Sequence, residues 1–334
     1  MPRYLIFILL IFMLALGGCS KNETVPNPPS NTTMPAQGSI DNEDMTDMAR
    51  ELGITAANYP KIDGSTSTLP IVQAIWRAMY GEDKAYGGNY PQTASKTVPS
   101  YRLLIDGEVD LILVPYASQE VLDTAKKAGV ELEFHKIAAE ALIFITAAEN
   151  PANNITYEQV RSIYLNYGIN DWGEMGGSAD RKLVPICRNS DSGSQSQMDN
   201  LILQNQPMHR DIKKNFVELT MEGMLEQVAF YHNGGLSGKP TNSYALGYTL
   251  YTYLQNMNEI TGIGERLKIL NYEGHRPDME SIADGSYTLS DGYYAVVRKD
   301  LAAGHSARSI IKWLQSDNGS VAIKNLGLAP VVNK

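Results

Sequence analysis

Cysteine is almost missing from this chain: of 334 residues only Cys19 and Cys187 carry a thiol. A disulfide framework is therefore excluded, and the fold has to be held by its core. Positive charge is also scarce. Lys and Arg number 28 against 37 Asp and Glu, a formal net charge of −9, and no basic block interrupts the chain. That composition lacks the electrostatic footprint of a nucleic-acid binder, so no nucleic-acid partner is expected. The five histidines, His135, His209, His232, His275 and His305, are scattered and fall in no triad context. No His-Glu-x-x-His or Cys-x-x-Cys pattern offers a metal, and Ser190-Asp191-Ser192-Gly193-Ser194 lacks the Gly-x-Ser-x-Gly elbow of a hydrolase. An enzyme, a resident metal and a cofactor are accordingly not expected. No period of 20 to 50 residues recurs, which excludes a repeat architecture.

A long apolar run occurs at the very start, from Tyr4 to Leu16 behind Arg3, and ends in Gly17-Gly18-Cys19. The run is shorter than the roughly 20 residues that span a bilayer and closes on small residues, so residues 1–19 read as a secretion signal. Leu16-Gly17-Gly18-Cys19 resembles the bacterial lipobox. That resemblance implies cleavage before Cys19 and acylation of its sulfur and new N-terminus, with palmitate as the typical chain and several chains giving a stable membrane anchor. Cys187 is then the one free thiol left, expected to pack as a small buried hydrophobe.

Residues 20–57 hold Pro26, Pro28, Pro29 and Pro35 among Asn, Ser and Thr, with few large apolar side chains, and read as a flexible tether. Met45 to Leu52 adds at most a helical turn or two at its end. From Tyr59 onward, apolar strands alternate with amphipathic helices. Strands are expected near Lys61-Ile62, over 109–114, near 131–137 and over 141–146, with helices over 70–80, 99–105 and 118–128. Further on, a helix over 156–164, a strand over 182–187, helices after Gly193 and over 221–231, and strands near 244–248 and 268–270 are expected. A strand over 293–298 and a helix over 306–314 return the chain to its first sheet. The alternation predicts largely parallel α/β sheets with ligands at the carboxyl ends of the strands.

Two hydroxyl- and glycine-rich segments each open a predicted helix: Gly64-Ser65-Thr66-Ser67-Thr68-Leu69-Pro70 and Arg188-Asn189-Ser190-Asp191-Ser192-Gly193-Ser194. Backbone N–H groups at a helix start lack intrahelical partners and carry the positive end of the dipole, so small residues there admit an oxyanion. Arg188 adds a full charge and a bidentate fork. With Gly107-Glu108-Val109-Asp110, Ala245-Leu246-Gly247-Tyr248, Ile282-Ala283-Asp284-Gly285-Ser286-Tyr287 and Gly327-Leu328-Ala329-Pro330-Val331 in order, the chain resembles the phosphate-binding (Pst-type) substrate-binding lipoproteins of ABC transporters. The resemblance covers nearly all of 59–332.

This resemblance implies an α/β periplasmic-binding-protein-like fold of type II, with two lobes, each a sheet flanked by helices, and the ligand in the cleft between them. Lobe 1 would comprise 58–137 with 288–334, and lobe 2 would comprise 138–287. It implies a monomeric, non-enzymatic, extracytoplasmic protein, lipid-anchored to the bacterial cell membrane, that captures an inorganic oxyanion, phosphate first, and delivers it to a membrane permease. The family's contacts carry over to Thr68 by hydroxyl and N–H, to the N–H of Leu69, to Thr97, and to Arg188, Ser192, Gly193 and Ser194. Ser67 would support the first turn, and Ser95 substitutes for Thr97 if the loop is shifted. One position departs from the pattern. The family aspartate that accepts the proton of hydrogen phosphate falls here on Pro115, which has neither a carboxylate nor an N–H. Asp63, Asp191 and the hydroxyl of Tyr116 are the candidates to compensate. The rival on the same fold is a surface adhesion or sensory module, with Tyr244, Tyr248, Tyr251 and Tyr253 lining a larger cleft for an organic or protein ligand.

Replacing Cys19 by Ala should abolish incorporation of labelled palmitate and release the protein from the membrane fraction; retained label would place the modification elsewhere.

Overall fold

In a computed structural model the described residues are 45–82, 89–177, 180–235 and 238–331. The expected leader, Cys19 and the tether up to residue 44 lie outside them. The last part of the expected tether is folded. Met45, Ala49 and Ile54 are buried against the second helix, and Thr46 caps the first by accepting from the Ala49 N–H. Their apolar side chains at helical spacing give this stretch a face to bury, which the proline-rich residues before it lack.

The chain runs through α1 (Asp47–Glu51), β1 (Ile62–Gly64), α2 (Leu69–Tyr80), α3 (Thr97–Ile105), β2 (Leu111–Pro115) and α4 (Gln119–Lys127). Then come β3 (Leu132–Ala147), β4 (Asn154–Ile155), α5 (Tyr157–Asn166), β5 (Lys182–Pro185), β6 (Cys187–Arg188), α6 (Gly193–Met198), α7 (Arg210–Asn215) and β7 (Val217–Glu218). Next are α8 (Met221–Phe230), β8 (Ser243–Leu250), α9 (Tyr251–Thr261), β9 (Leu267–Ile269), β10 (Asn271–Tyr272) and α10 (Met279–Ala283). The chain closes with β11 (Ser290–Arg298), α11 (Ser306–Leu314), α12 (Asp317–Lys324) and β12 (Ala329–Pro330).

The main sheet has the order β1-β2-β11-β3-β8-β5, with β9 and β12 also on β3. It is mixed, not largely parallel as expected. Strands β1 and β2, and β5 and β8, pair in parallel, but β11 runs antiparallel to both β2 and β3, and β8 is antiparallel to β3. The reversal comes from the returning segment, which enters between β2 and β3. The two strands expected at 131–137 and 141–146 are one, because Ile137-Ala138-Ala139-Glu140 contains no Gly or Pro to break it. Its first part pairs with β11 through Ala141, and its second, from Leu142, pairs with β8 and β9.

Two large cores follow from that division. Phe144, Tyr164, Trp172, Met198, Leu246 and Tyr248 belong to one whose buried members all lie between Ala139 and Leu289. Ile71, Ile75, Trp76, Leu113, Val297 and Trp313 belong to another, built mainly from the chain before and after that span. Along β2 the side chains alternate: Leu111 and Leu113 join this second core, while Ile112 and Val114 join Tyr101 and Val121 in a smaller one. A strand buried on both faces reads as an unbroken apolar run, as Leu111-Ile112-Leu113-Val114 does.

At the junction of β3 and α9 the buried Glu140 carboxylate accepts the N–H of Ala141 (2.9 Å) and that of Thr252 (3.1 Å) in the first turn of α9. Burial raises its pKa, and these two donors work against the shift. The motif glycine Gly247 on β8 lies under α8, where a Cβ would come within 2.5 Å of Val228 and 2.6 Å of Met224. Gly247→Ala should therefore overpack this contact and lower unfolding free energy by about 1–3 kcal/mol, measured by chemical denaturation; an unchanged midpoint would mean α8 shifts freely.

Candidate anion-binding site

A cavity of about 260 Å³ opens where the segments leading into α2, α3, α6 and α8 meet. Ser65, Thr66 and Ser67 line it ahead of α2, and Lys96 and Thr97 at the start of α3. Arg188, Asp191, Ser192 and Gly193 contribute from the turn into α6, Leu219 to Glu222 from the turn into α8, and Tyr253 from α9. Ser192 and Thr220 cap their helices by accepting the N–H of Gln195 (3.5 Å) and of Gly223 (2.9 Å). The N–H groups before those positions have no intrahelical acceptor and make this wall electropositive.

Arg188 is 5% exposed. Its Nε donates to the Glu218 carbonyl (3.1 Å) and its Nη2 to the Leu219 carbonyl (3.3 Å). Its backbone N–H donates to the Tyr248 phenol (3.1 Å), which in turn donates to the Gln195 side chain (2.5 Å). Among the described residues no carboxylate stands within ion-pair distance of the guanidinium. Burial lowers its pKa, with Tyr248 and Glu218 opposing the shift. An arginine remains protonated under such a shift, so the cation stays buried with only carbonyl dipoles to solvate it. An anion in the cavity would offset that desolvation.

Thr97 is 1% exposed, and its hydroxyl has no hydrogen-bond partner among the described residues. A buried polar atom without a partner costs about 1–3 kcal/mol, and one on a cavity wall is satisfied by what the cavity holds. Gly193 lies against it. A Cβ at Gly193 would fall 2.8 Å from Thr97 Oγ1 and 2.6 Å from Pro115 Cγ, so only glycine lets the start of α6 approach this closely. The Val98 N–H reaches the Asp191 carbonyl (3.5 Å) across the same contact.

Other expected contacts sit elsewhere. Thr68 is fully buried and its hydroxyl is turned inward, donating to the Leu113 carbonyl (2.5 Å) and accepting the Ser65 N–H (2.9 Å). The N–H groups of Thr68 and Leu69 both donate to the Ser65 carbonyl (3.1 and 3.0 Å). The turn thus consumes the donors expected of Thr68 and Leu69, and Ser65, Thr66 and Ser67 line the cavity in their place. Ser95 does not line it; its N–H donates to Asp63 (3.2 Å). Ser194 is fully buried behind the wall, its hydroxyl 2.9 Å from that of Ser192. Tyr116 packs on Phe134 and Tyr294 and Asp63 holds Ser95 and Ser100, so of the three candidates to replace the missing aspartate only Asp191 reaches the wall.

Lys96, Leu219 to Glu222 and Tyr253 complete the lining; of these only Tyr253 was expected at a cleft, and then for an organic or protein ligand. The signal for the α8 contribution was Thr220 three residues before Gly223, a helix start like the others; Lys96 carried none beyond its place beside Thr97. Tyr244 and Tyr248 are core residues, leaving Tyr253 as the cavity's tyrosine. Burial pushes its phenol up to about 12, with Glu222 adding and Arg188 opposing, so the hydroxyl stays protonated and able to donate. Among the described residues no cluster of His, Cys, Asp and Glu is set to hold a metal.

Comparison with known proteins gives a consistent picture. The PBP superfamily domain matches residues 53–318. The phosphate-binding protein PstS of Borreliella burgdorferi is 29% identical over 191 residues, 57% of this chain and 63% of that protein, so the match spans less than two thirds of the relative. Protein SphX of Synechococcus elongatus is 21% identical over 81% of this chain and 77% of its own. An ABC-type phosphate transport receptor from Vibrio cholerae has a similar fold, with a TM-score of 0.58 and 20% identity over 80% of this chain and 98% of that one.

Gly193→Ala tests the cavity geometry. The added methyl should push α6 off Thr97 and Pro115 and weaken any ligand bound between them by about tenfold or more, with far-UV circular dichroism unchanged; wild-type affinity would mean the contact is dispensable.

Proposed function

The chain belongs to the PBP superfamily, and from that premise we propose that it is an extracytoplasmic solute-binding protein capturing an inorganic oxyanion, phosphate first, for the permease of an ABC transporter. The observation that carries this reading is the buried Arg188 guanidinium, held by the carbonyls of Glu218 and Leu219, free of any carboxylate among the described residues, and opening onto the cavity. Thr97 Oγ1, buried without a partner on the same wall, supports it, as does the name of the Borreliella relative. No bond is made or broken. Hydroxyls and N–H groups replace the anion's water, and ligand stabilises the closed form through its higher affinity for that form.

In this reading lobe 1 comprises 58–137 with 288–334, lobe 2 comprises 138–287, and β3 carries the chain across between them. The hydrogen bonds of Gln197 to Asp291 (2.9 Å) and of Asn200 to the Ala117 carbonyl (3.0 Å) then join the lobes beside the cavity. With Pro115 at the position of the family aspartate, discrimination among protonated and ionised anions falls to the wall carboxylates, Asp191 and Glu222. Acylation at Cys19 would keep a monomeric receptor at the membrane surface; among the described residues no helix is long and apolar enough to cross a bilayer.

Calorimetric titration with phosphate at pH 6 and 8, with sulfate as competitor, tests the reading. Arg188→Ala should weaken phosphate binding by about 10- to 100-fold, the equivalent of one charge-assisted contact of about 1.5–3 kcal/mol. An unchanged affinity would remove Arg188 from the site, and no heat from the wild-type protein with either anion would remove the oxyanion.

A further inference from the structure

Lys96 stands at φ 78°, ψ 170°, a backbone region that is essentially reserved for glycine. It is not left there by a loose loop. The preceding N–H, that of Ser95, is held by Asp63 Oδ1 (3.2 Å), and the Ser100 hydroxyl lies 2.9 Å from Asp63 Oδ2 and 2.7 Å from the Lys96 carbonyl. The Ser100 N–H also donates to that carbonyl (3.0 Å). One carboxylate therefore clamps the chain on both sides of Lys96 and forces it through the strained conformation. A glycine would meet the same backbone demand without strain, so the lysine side chain needs a separate reason.

Its surroundings supply one. Lys96 is exposed, lines the cavity, and has no carboxylate within ion-pair distance among the described residues. The charged groups around the cavity are Arg188 and Asp191 from the turn into α6 and Glu222 from the first turn of α8, with the Tyr253 phenol from α9. Asp191 and Glu222 balance two positive charges, so without Lys96 the side chains of the wall would carry a net negative charge towards an anion.

We infer that Lys96 is a second cationic contact of this cavity, held at its rim by the Asp63 clamp, whose ammonium closes on an oxyanion already bound at Arg188. The assignment rests on the oxyanion reading of the site. It makes the ligand one with at least two charge-bearing oxygens, reached from two sides. A compact, flexible ammonium suits the outer position, while the rigid fork of Arg188 suits the inner one.

The test compares wild type, Lys96→Gly, Lys96→Arg and Arg188→Ala in phosphate titrations at low and high salt, together with ligand-free thermal unfolding. Lys96→Gly should melt at the wild-type temperature or above it, since strain is relieved, yet bind phosphate about tenfold more weakly and with a shallower salt dependence. Lys96→Arg, which keeps the charge and the strain, should bind within a few fold of wild type. If Lys96→Gly binds as tightly as wild type while Arg188→Ala does not, the inference fails and the oxyanion reading stands. If Lys96→Gly loses melting temperature along with affinity, the residue is structural and the inference is again overturned. Absence of phosphate binding by the wild type would overturn the reading and this assignment together.

Discussion

A guanidinium taken out of water with no carboxylate among the described residues to meet it governs the structure around the cavity. Desolvating Arg188 is unfavourable, and its nearest compensation is the pair of carbonyls of Glu218 and Leu219 at the turn into α8. Those bonds tie β6 to the start of α8, just as the Tyr248 phenol ties the Arg188 backbone to Gln195 and so to α6. The residue that carries the charge is thus tied to two of the helix starts, to α8 by its side chain and to α6 by its backbone. That compensation occupies Nε and Nη2, while the residue still opens onto the cavity.

Around that cation, donors are sorted by whether the fold has already used them. In the turn before α2, the Ser65 carbonyl takes the N–H groups of Thr68 and Leu69, and the Leu113 carbonyl takes the Thr68 hydroxyl. At the start of α3, by contrast, the Thr97 hydroxyl is buried and unpaired. Two threonines at helix starts therefore have opposite status. The first locks its loop to β2, and the second is left for the cavity. A chain of formal charge −9 can present such a wall to an anion because fields inside a partly buried cavity are set by the nearest dipoles and charges, not by the distant sum.

Much of the fold was legible in the chain. The helices over 69–80 and 306–314 and the apolar strand ending at Pro115 follow from periodicity and from buried runs that no other element could absorb. The misreadings have local causes. Two strands were expected between Leu132 and Ala147, yet nothing in the run breaks a strand, and one oxygen of the buried Glu140 is met by the N–H groups of Ala141 and Thr252. The sheet was expected to be largely parallel because strands and helices alternate, but β11 enters from the far end of the chain and reverses the sense.

What the sequence determined by itself was the inventory: an apolar N-terminal run, hydroxyl- and glycine-rich helix starts, one arginine after an apolar strand, and five histidines and two cysteines in no recognisable catalytic or metal motif. Those are properties of residue type and near-neighbour spacing. Which of these donors remain available was decided only by tertiary structure, because a hydrogen bond is spent on whichever acceptor packing brings closest. Leu113, 45 residues from Thr68, consumes its hydroxyl. Glu218 and Leu219, 30 and 31 residues from Arg188, orient its fork. Asp63 bends the chain at Lys96 from 32 and 37 residues away, through Ser95 and Ser100. Spacing along the chain does not encode those distances, so Thr97, Arg188, Ser192 and Gly193 could be named from the sequence as cavity residues, while the diversion of Thr68 and Leu69 and the placement of Lys96 could not.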